Sequence, residues 1–129
     1  MRRSSVLHTL LLVLVTACGA SSDVTGPETI GPCTGNVTVS VSSGTTPTFT
    51  WTPACRVIGL LVELGASDQW FLEATGDGIA PGVQYGIVPP GATADGPATP
   101  LVSGTTYEVI LFRGAPENAA IAAIKEFTP

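Results

Sequence analysis

The sequence predicts an all-β sandwich of about seven strands, and three observations carry that expectation. Apolar and polar residues alternate strictly in short stretches: Val37, Val39 and Val41 against Thr38, Ser40 and Ser42, then Phe49 and Trp51 against Thr48, Thr50 and Thr52. That is the period of a half-buried strand. Fifteen glycines and eleven prolines punctuate the chain, at the spacing of turns between short strands. Hydrophobic residues make up 44% and charged residues 12%, enough apolar surface to build a core and too much for a disordered chain. At 129 residues there is room for one domain.

Taken in order, the first element is not part of that fold. Residues 1–5 are cationic through Arg2 and Arg3, and residues 6–17 are apolar apart from His8 and Thr9 and small towards their end. Spanning a bilayer takes about 20 residues, so this run reads as a secretory signal peptide over residues 1–17. A buried strand or helix is the competing reading, and the paired arginines argue for export. Residues 19–32 are rich in Gly, Pro, Ser and Thr and read as a flexible tether. The folded domain is expected over residues 33–129.

Residues 36–42 and 48–52 form the first hairpin. With its turn centred on Gly44, Trp51 opposes Val37 and Phe49 opposes Val39. The same register sets Cys55 opposite Cys33, on the same face. Antiparallel neighbours have Cβ atoms about 4.5–5.5 Å apart and a disulfide needs about 3.5–4.5 Å, so a Cys33–Cys55 bridge is expected after a small adjustment at the strand ends. Residues 56–64 are a third strand, with Ile58, Leu60, Val62 and Leu64 on one face. Residues 69–74 are a fourth, carrying Trp70 and Leu72. A short strand follows near Tyr85, stopped by Pro89 and Pro90, and residues 94–100 read as loop. Residues 106–112 are another strand. Residues 119–127 are the last element, and their alanines leave it open between strand and helix.

Two resemblances sharpen this outline. Val15-Thr16-Ala17-Cys18 resembles the lipobox of bacterial lipoproteins. It implies cleavage before Cys18 and lipidation of that residue, an anchor that holds because two or more acyl chains bind stably where one does not. Gly19 after the cysteine then favours the outer membrane if the source is Gram-negative. Leu101, Gly104 and Tyr107 resemble the lead-in to strand F of fibronectin type III domains. There the tyrosine forms a corner, its hydroxyl bonding to backbone a few residues upstream. Trp51 and the strand that follows resemble that family's strands B and C. The implied fold is an immunoglobulin-like, fibronectin type III-like sandwich. The residue two after Tyr107 is Val109, where an immunoglobulin domain has its second cysteine.

With Cys18 lipidated, Cys33 and Cys55 are left to each other. The chain from Cys18 onward has three basic and ten acidic residues, a formal charge of −7, which argues against nucleic acid. His8, the only histidine, leaves with the signal peptide. Histidine-dependent nucleophilic catalysis and His/Cys zinc sites leave with it. Asp68, Glu73 and Asp77 are the remaining carboxylates to consider for a glycosidase, and they read as solvated loop and edge residues. Asp77-Gly78 lacks the acidic series of a calcium loop. No enzyme activity, metal or cofactor is expected.

One pattern does not fit a plain sandwich. Leu61 shares the parity of Glu63, Ile110 and Phe112 share that of Glu108, and Phe71 points opposite to Trp70. Leu61, Phe71, Ile110 and Phe112 are therefore expected as an apolar stripe on the outside of one sheet, unless the tether or the last segment covers it or a bulge reverses a strand. The expected function is a lipid-anchored cell-envelope protein with a non-catalytic module that binds a protein or glycan partner. A passive spacer and a carbohydrate-binding accessory domain are the alternatives, the latter requiring exposed aromatics arranged as a platform. Residues 113–118 would be the F–G loop, a lesser candidate site.

Overall fold

The computed structural model describes residues 29–129. Two antiparallel sheets pack face to face as a β-sandwich. The chain runs through β1 (Thr38–Val41), β2 (Thr48–Thr52), β3 (Gly59–Leu64), β4 (Ser67–Ala74), β5 (Val83–Gln84), β6 (Ala92–Ala94), β7 (Tyr107–Arg113) and β8 (Ala120–Phe127), with a 3-10 turn at Pro116–Asn118 between the last two. One sheet has the order β1-β2-β5 and the other β6-β4-β3-β7-β8. The last segment, open between helix and strand in the sequence, is a strand. The extra strand is three-residue β6, which ends on Ala94, the first residue of the stretch expected to be loop. Among the described residues no helix is long and apolar enough to cross a membrane.

The alternating residues make the core. Phe49 and Trp51 from the small sheet meet Leu60, Val62, Trp70, Leu72, Val109 and Leu111 from the large one, all buried. Trp51 donates its indole N–H to the Cys55 carbonyl at 2.7 Å, which meets the requirement of a buried polar group. Phe127 at the end of β8 packs edge-on to Phe49 at 5.6 Å and stacked on Tyr107 at 5.9 Å.

The β1–β2 hairpin corrects the expected register by two residues. Val39 pairs with Trp51 and Val41 with Phe49. The turn centres on Thr45, because Ser42 closes it: its N–H donates to the Thr48 carbonyl at 3.1 Å and its Oγ accepts from the Thr48 N–H at 2.8 Å. A two-residue slip preserves parity, so the inward residues stay inward. The Cys33–Cys55 disulfide is present, with Cα atoms 4.9 Å apart, but it does not belong to the hairpin ladder. Pairing stops at Thr38 and Thr52. Beyond it the two segments run side by side in parallel: the Cys33 N–H donates to the Arg56 carbonyl and the Arg56 N–H to the Gly31 carbonyl, each at 2.8 Å. The bridge closes a separation of 22 residues and stabilises the fold by roughly 3 kcal/mol in the chain-entropy model.

Arg56 also fixes where the N-terminal chain joins the domain. Its Nε donates to the Ile30 carbonyl at 3.2 Å and its Nη1 to the Gly78 carbonyl at 3.1 Å. Gly78 has φ +103°, and a Cβ there would meet Arg56 Cβ at 2.8 Å and the Val57 carbonyl at 2.9 Å, so only glycine fits. This end of the sandwich holds the start of β3 and the end of β7: the Ile58 N–H donates to the Phe112 carbonyl and Arg113 Nη1 to that of Thr34.

Candidate interaction face

The outer face of the five-stranded sheet is built in rows by strand register. Leu61 on β3 lies opposite Phe71 on β4 and opposite Ile110 on β7, and Ile110 lies opposite Ile124 on β8. One row nearer the N-terminal end, Gly59 lies between Glu73 and Phe112, and Phe112 lies opposite Ile121. All four residues expected in the stripe therefore share one face. Ile110, at 8% exposure, is its buried floor, while Leu61, Phe71 and Phe112 are half-buried.

Ile121 and Ile124 extend the stripe at 48% and 52% exposure, and sequence reasoning missed them. They are three residues apart, so strict alternation puts them on opposite faces. A bulge brings them together: Ala123 pairs with Leu111 and Ile121 with Phe112, leaving Ala122 as the extra residue. Ala122 turns inward and is buried, and its carbonyl accepts from the Val37 N–H at 3.0 Å. A bulge re-aims side chains in this way. The last segment thus widens the face from the sheet's edge and does not cover it. The tether residues before 29 lie outside the described residues, as does Cys18.

A groove of about 470 Å³ opens at the N-terminal end of the stripe, lined by Phe71, Phe112, Gly59 and the β7–β8 connection at Ala115 and Pro116. Gly59 is its floor. A Cβ there would sit 3.4 Å from Phe112 and 3.6 Å from Phe71, so the missing side chain is the space between two aromatic rings. The 113–118 loop enters the picture as a wall of this groove. It is held by the Asn118 side chain, whose Oδ1 accepts from the Ala115 N–H at 3.3 Å.

The residues of the Tyr107 corner lie at the other end of the same strand. The Tyr107 hydroxyl accepts from the Val102 N–H at 3.0 Å, Leu101 is buried, and Gly104 turns at φ +81° with its N–H on the Pro129 carbonyl at 3.0 Å. A second tyrosine was not anticipated in a comparable role. Tyr85 follows β5, packs edge-on to Trp70 at 5.2 Å and donates its hydroxyl to the Thr99 carbonyl at 2.6 Å. Burial first, and then Tyr107, pushes its pKa up to about 12. These two phenols pin the long crossing between β6 and β7.

The carboxylates weighed for catalysis do not come together. Asp68 faces Glu63 at the β3–β4 turn, Glu73 stands beside the groove, and Asp77 is in an exposed loop. Among the described residues no three His, Cys, Asp or Glu side chains are placed to hold a metal ion. Compared with known proteins, the chain matches no family model, no curated protein and no solved structure.

Proposed function

We propose that this protein is a lipid-anchored component of a bacterial cell envelope whose sandwich is a non-catalytic interaction module. Residues 1–17 serve as the export signal, Cys18 as the lipidated residue, residues 18–32 as the tether, whose last residues from Ile30 are hydrogen-bonded to Arg56 of the domain, and residues 33–129 as a fibronectin type III-like domain. The strand order supports the domain reading: β1, β2 and β5 correspond to strands A, B and E, and β8-β7-β3-β4 to a G-F-C-C′ sheet, to which β6, later in the chain than strand E, adds an edge strand.

The observation that carries the interaction reading is the apolar face made by Leu61, Phe71, Phe112, Ile121 and Ile124, which none of the other described residues covers. A sandwich acting only as a spacer has no reason to leave apolar side chains from four adjacent strands side by side in water. Two measurements test the proposal. Labelled palmitate is expected to enter the wild-type protein and not the Cys18→Ala variant; equal labelling of both removes the anchor. A photo-crosslinking amino acid is then placed at Ile124, and at Thr50 on the outside of the other sheet, in intact native cells. Adducts at Ile124 that are absent at Thr50 are expected. Absence at both positions would leave the passive spacer.

A further inference from the structure

The outer face is not apolar throughout, and its boundary has one sign. Two residues along from Leu61 and two before Ile110, the strands carry Glu63 and Glu108. These lie directly opposite each other, and Glu108 lies directly opposite Glu126 on β8. Asp68 closes the row on the β4 side, opposite Glu63. Three adjacent strands thus place glutamates side by side around a shallow depression of about 150 Å³. Along the β4–β6 side the border is Glu73 and Asp95, the latter bonded through its N–H to the Phe71 carbonyl at 3.1 Å.

No base on the four long strands has the strand parity of this face, although exposed Lys125 lines a depression at the β8 edge with Ile121 and Ile124. Lys125 lies opposite Val109 and so has the inward parity, Arg113 follows Phe112 on the inward parity of β7, and Arg56 is spent on Ile30 and Gly78. Like charges directly opposite across a ladder destabilise a sheet. The fold therefore gains nothing from this row, and the chain keeps it beside an apolar surface it also leaves open. An apolar centre with a charged rim is the anatomy of a binding interface.

We propose that the occupant of this face is a basic polypeptide segment in extended form, with two apolar residues at alternate positions followed by Lys or Arg two positions on. The proposal rests on the reading of the face as a contact surface and adds the partner's chemistry to it. The rows at Gly59/Phe112, Leu61/Ile110 and Glu63/Glu108 recur every second residue, about 6.7 Å along the strands. An extended segment laid along the strands has the same repeat. Its apolar side chains meet the groove and the Leu61–Phe71 row, and its cation meets the three glutamates. A second copy of this chain fits poorly, because it would bring the same acidic border against itself. An anionic membrane or nucleic acid fails for the same reason.

The test uses the full chain in neutral detergent against a displayed library of unconstrained heptapeptides. The expected selection is apolar, any, apolar, any, then Lys or Arg. A synthetic peptide of that sequence should bind about tenfold more weakly to Phe112→Ser. It should also lose about tenfold to the Glu63→Gln/Glu108→Gln/Glu126→Gln variant, as three rim charge pairs imply. Added salt should weaken binding to the wild type and not to that triple variant. Ile124→Ser repeats the first arm should Phe112→Ser lose its cooperative thermal transition. Peptides that are apolar without a base, sensitive to Phe112→Ser and indifferent to the triple variant, would overturn this inference and leave the contact surface standing. Selection indifferent to Phe112→Ser and Ile124→Ser alike would overturn both. Self-association lost in Ile124→Ser, or a neutral oligosaccharide such as maltoheptaose bound between Phe71 and Phe112 with no peptide selected, would replace the partner proposed here.

Discussion

The two faces of the β3–β7 pair are written by the same residues in alternation, and they obey different rules. Inward, Leu60, Val62, Val109 and Leu111 are all fully buried, and the pattern is apolar from end to end. Outward, the same strands read Gly59, Leu61, Glu63 and Phe112, Ile110, Glu108: aromatic groove, aliphatic centre, acidic end. Packing explains the first sequence completely. It explains only Gly59 and Ile110 in the second, where Leu61 and Phe112 are left half-exposed and like charges are set side by side. The inner face shows what the fold needs, so the excess on the outer face marks what the fold does not need.

The sharpest way to break that comparison is a pair of residues on the adjacent strands β7 and β8. Leu111→Ala removes a fully buried side chain between the sheets and should cost about 3 kcal/mol, the middle of the range for such cavities. Ile124→Ser, on the half-exposed outer face, should cost less than about 1 kcal/mol. Urea denaturation of both variants checks it. Comparable losses would mean that the outer face is also structural, and the distinction between the two faces would collapse.

A smaller effect separates the polar groups that the interior admits from those the surface carries. Tyr85→Phe deletes the hydroxyl that donates to Thr99 and should cost about 1 kcal/mol at neutral pH. The alkaline limb then carries a sign. Tyr85 titrates at about 12 in the fold, raised by burial and then by Tyr107, against an ordinary value of 10.0. The folded state holds this proton longer than the unfolded chain does. Its contribution is therefore full below pH 10 and lost as pH rises from 10 to about 12. The melting temperature of the wild type should fall across that window, and the fall should be shallower in Tyr85→Phe. Parallel slopes would place the alkaline loss elsewhere.

The inner face was the legible part of this molecule. Period-two alternation names Val39, Phe49, Trp51, Leu60, Val62, Trp70 and Leu72 as inward residues without knowledge of any partner strand, because parity survives errors of register. The hairpin shows this well: moving the turn from Gly44 to Thr45 shifts every pair by two and leaves every face unchanged. The disulfide was reached through that mistaken register, and its true setting is a parallel pair of segments beyond the strand ends. What parity cannot carry is a bulge. Ala122 breaks the alternation of β8, so Ile121 and Ile124 were invisible as members of the face, and so was its full width. The acidic row was equally hidden. Glu63, Glu108 and Glu126 are far apart in sequence and meet only through the order β3-β7-β8, which no local pattern specifies.

That row gives the smallest effect and the most specific one. Glu108 stands between Glu63 and Glu126 across both of its ladders, so it bears two like-charge neighbours at about 5 Å between Cβ atoms. Replacing a half-buried surface glutamate is ordinarily neutral within about 0.5 kcal/mol. Here Glu108→Gln should stabilise the domain by a few tenths of a kcal/mol, and the gain should shrink as salt screens the repulsion. Glu117→Gln, in the exposed 3-10 turn away from the row, is the control and should show neither the gain nor its salt dependence. A charge that lowers stability, on a face whose apolar side chains also go unburied, is kept against the interest of the fold. If thermal denaturation finds Glu108→Gln neutral or destabilising at low salt, the row carries no such tension, and the contrast between the two faces reduces to apolar exposure alone.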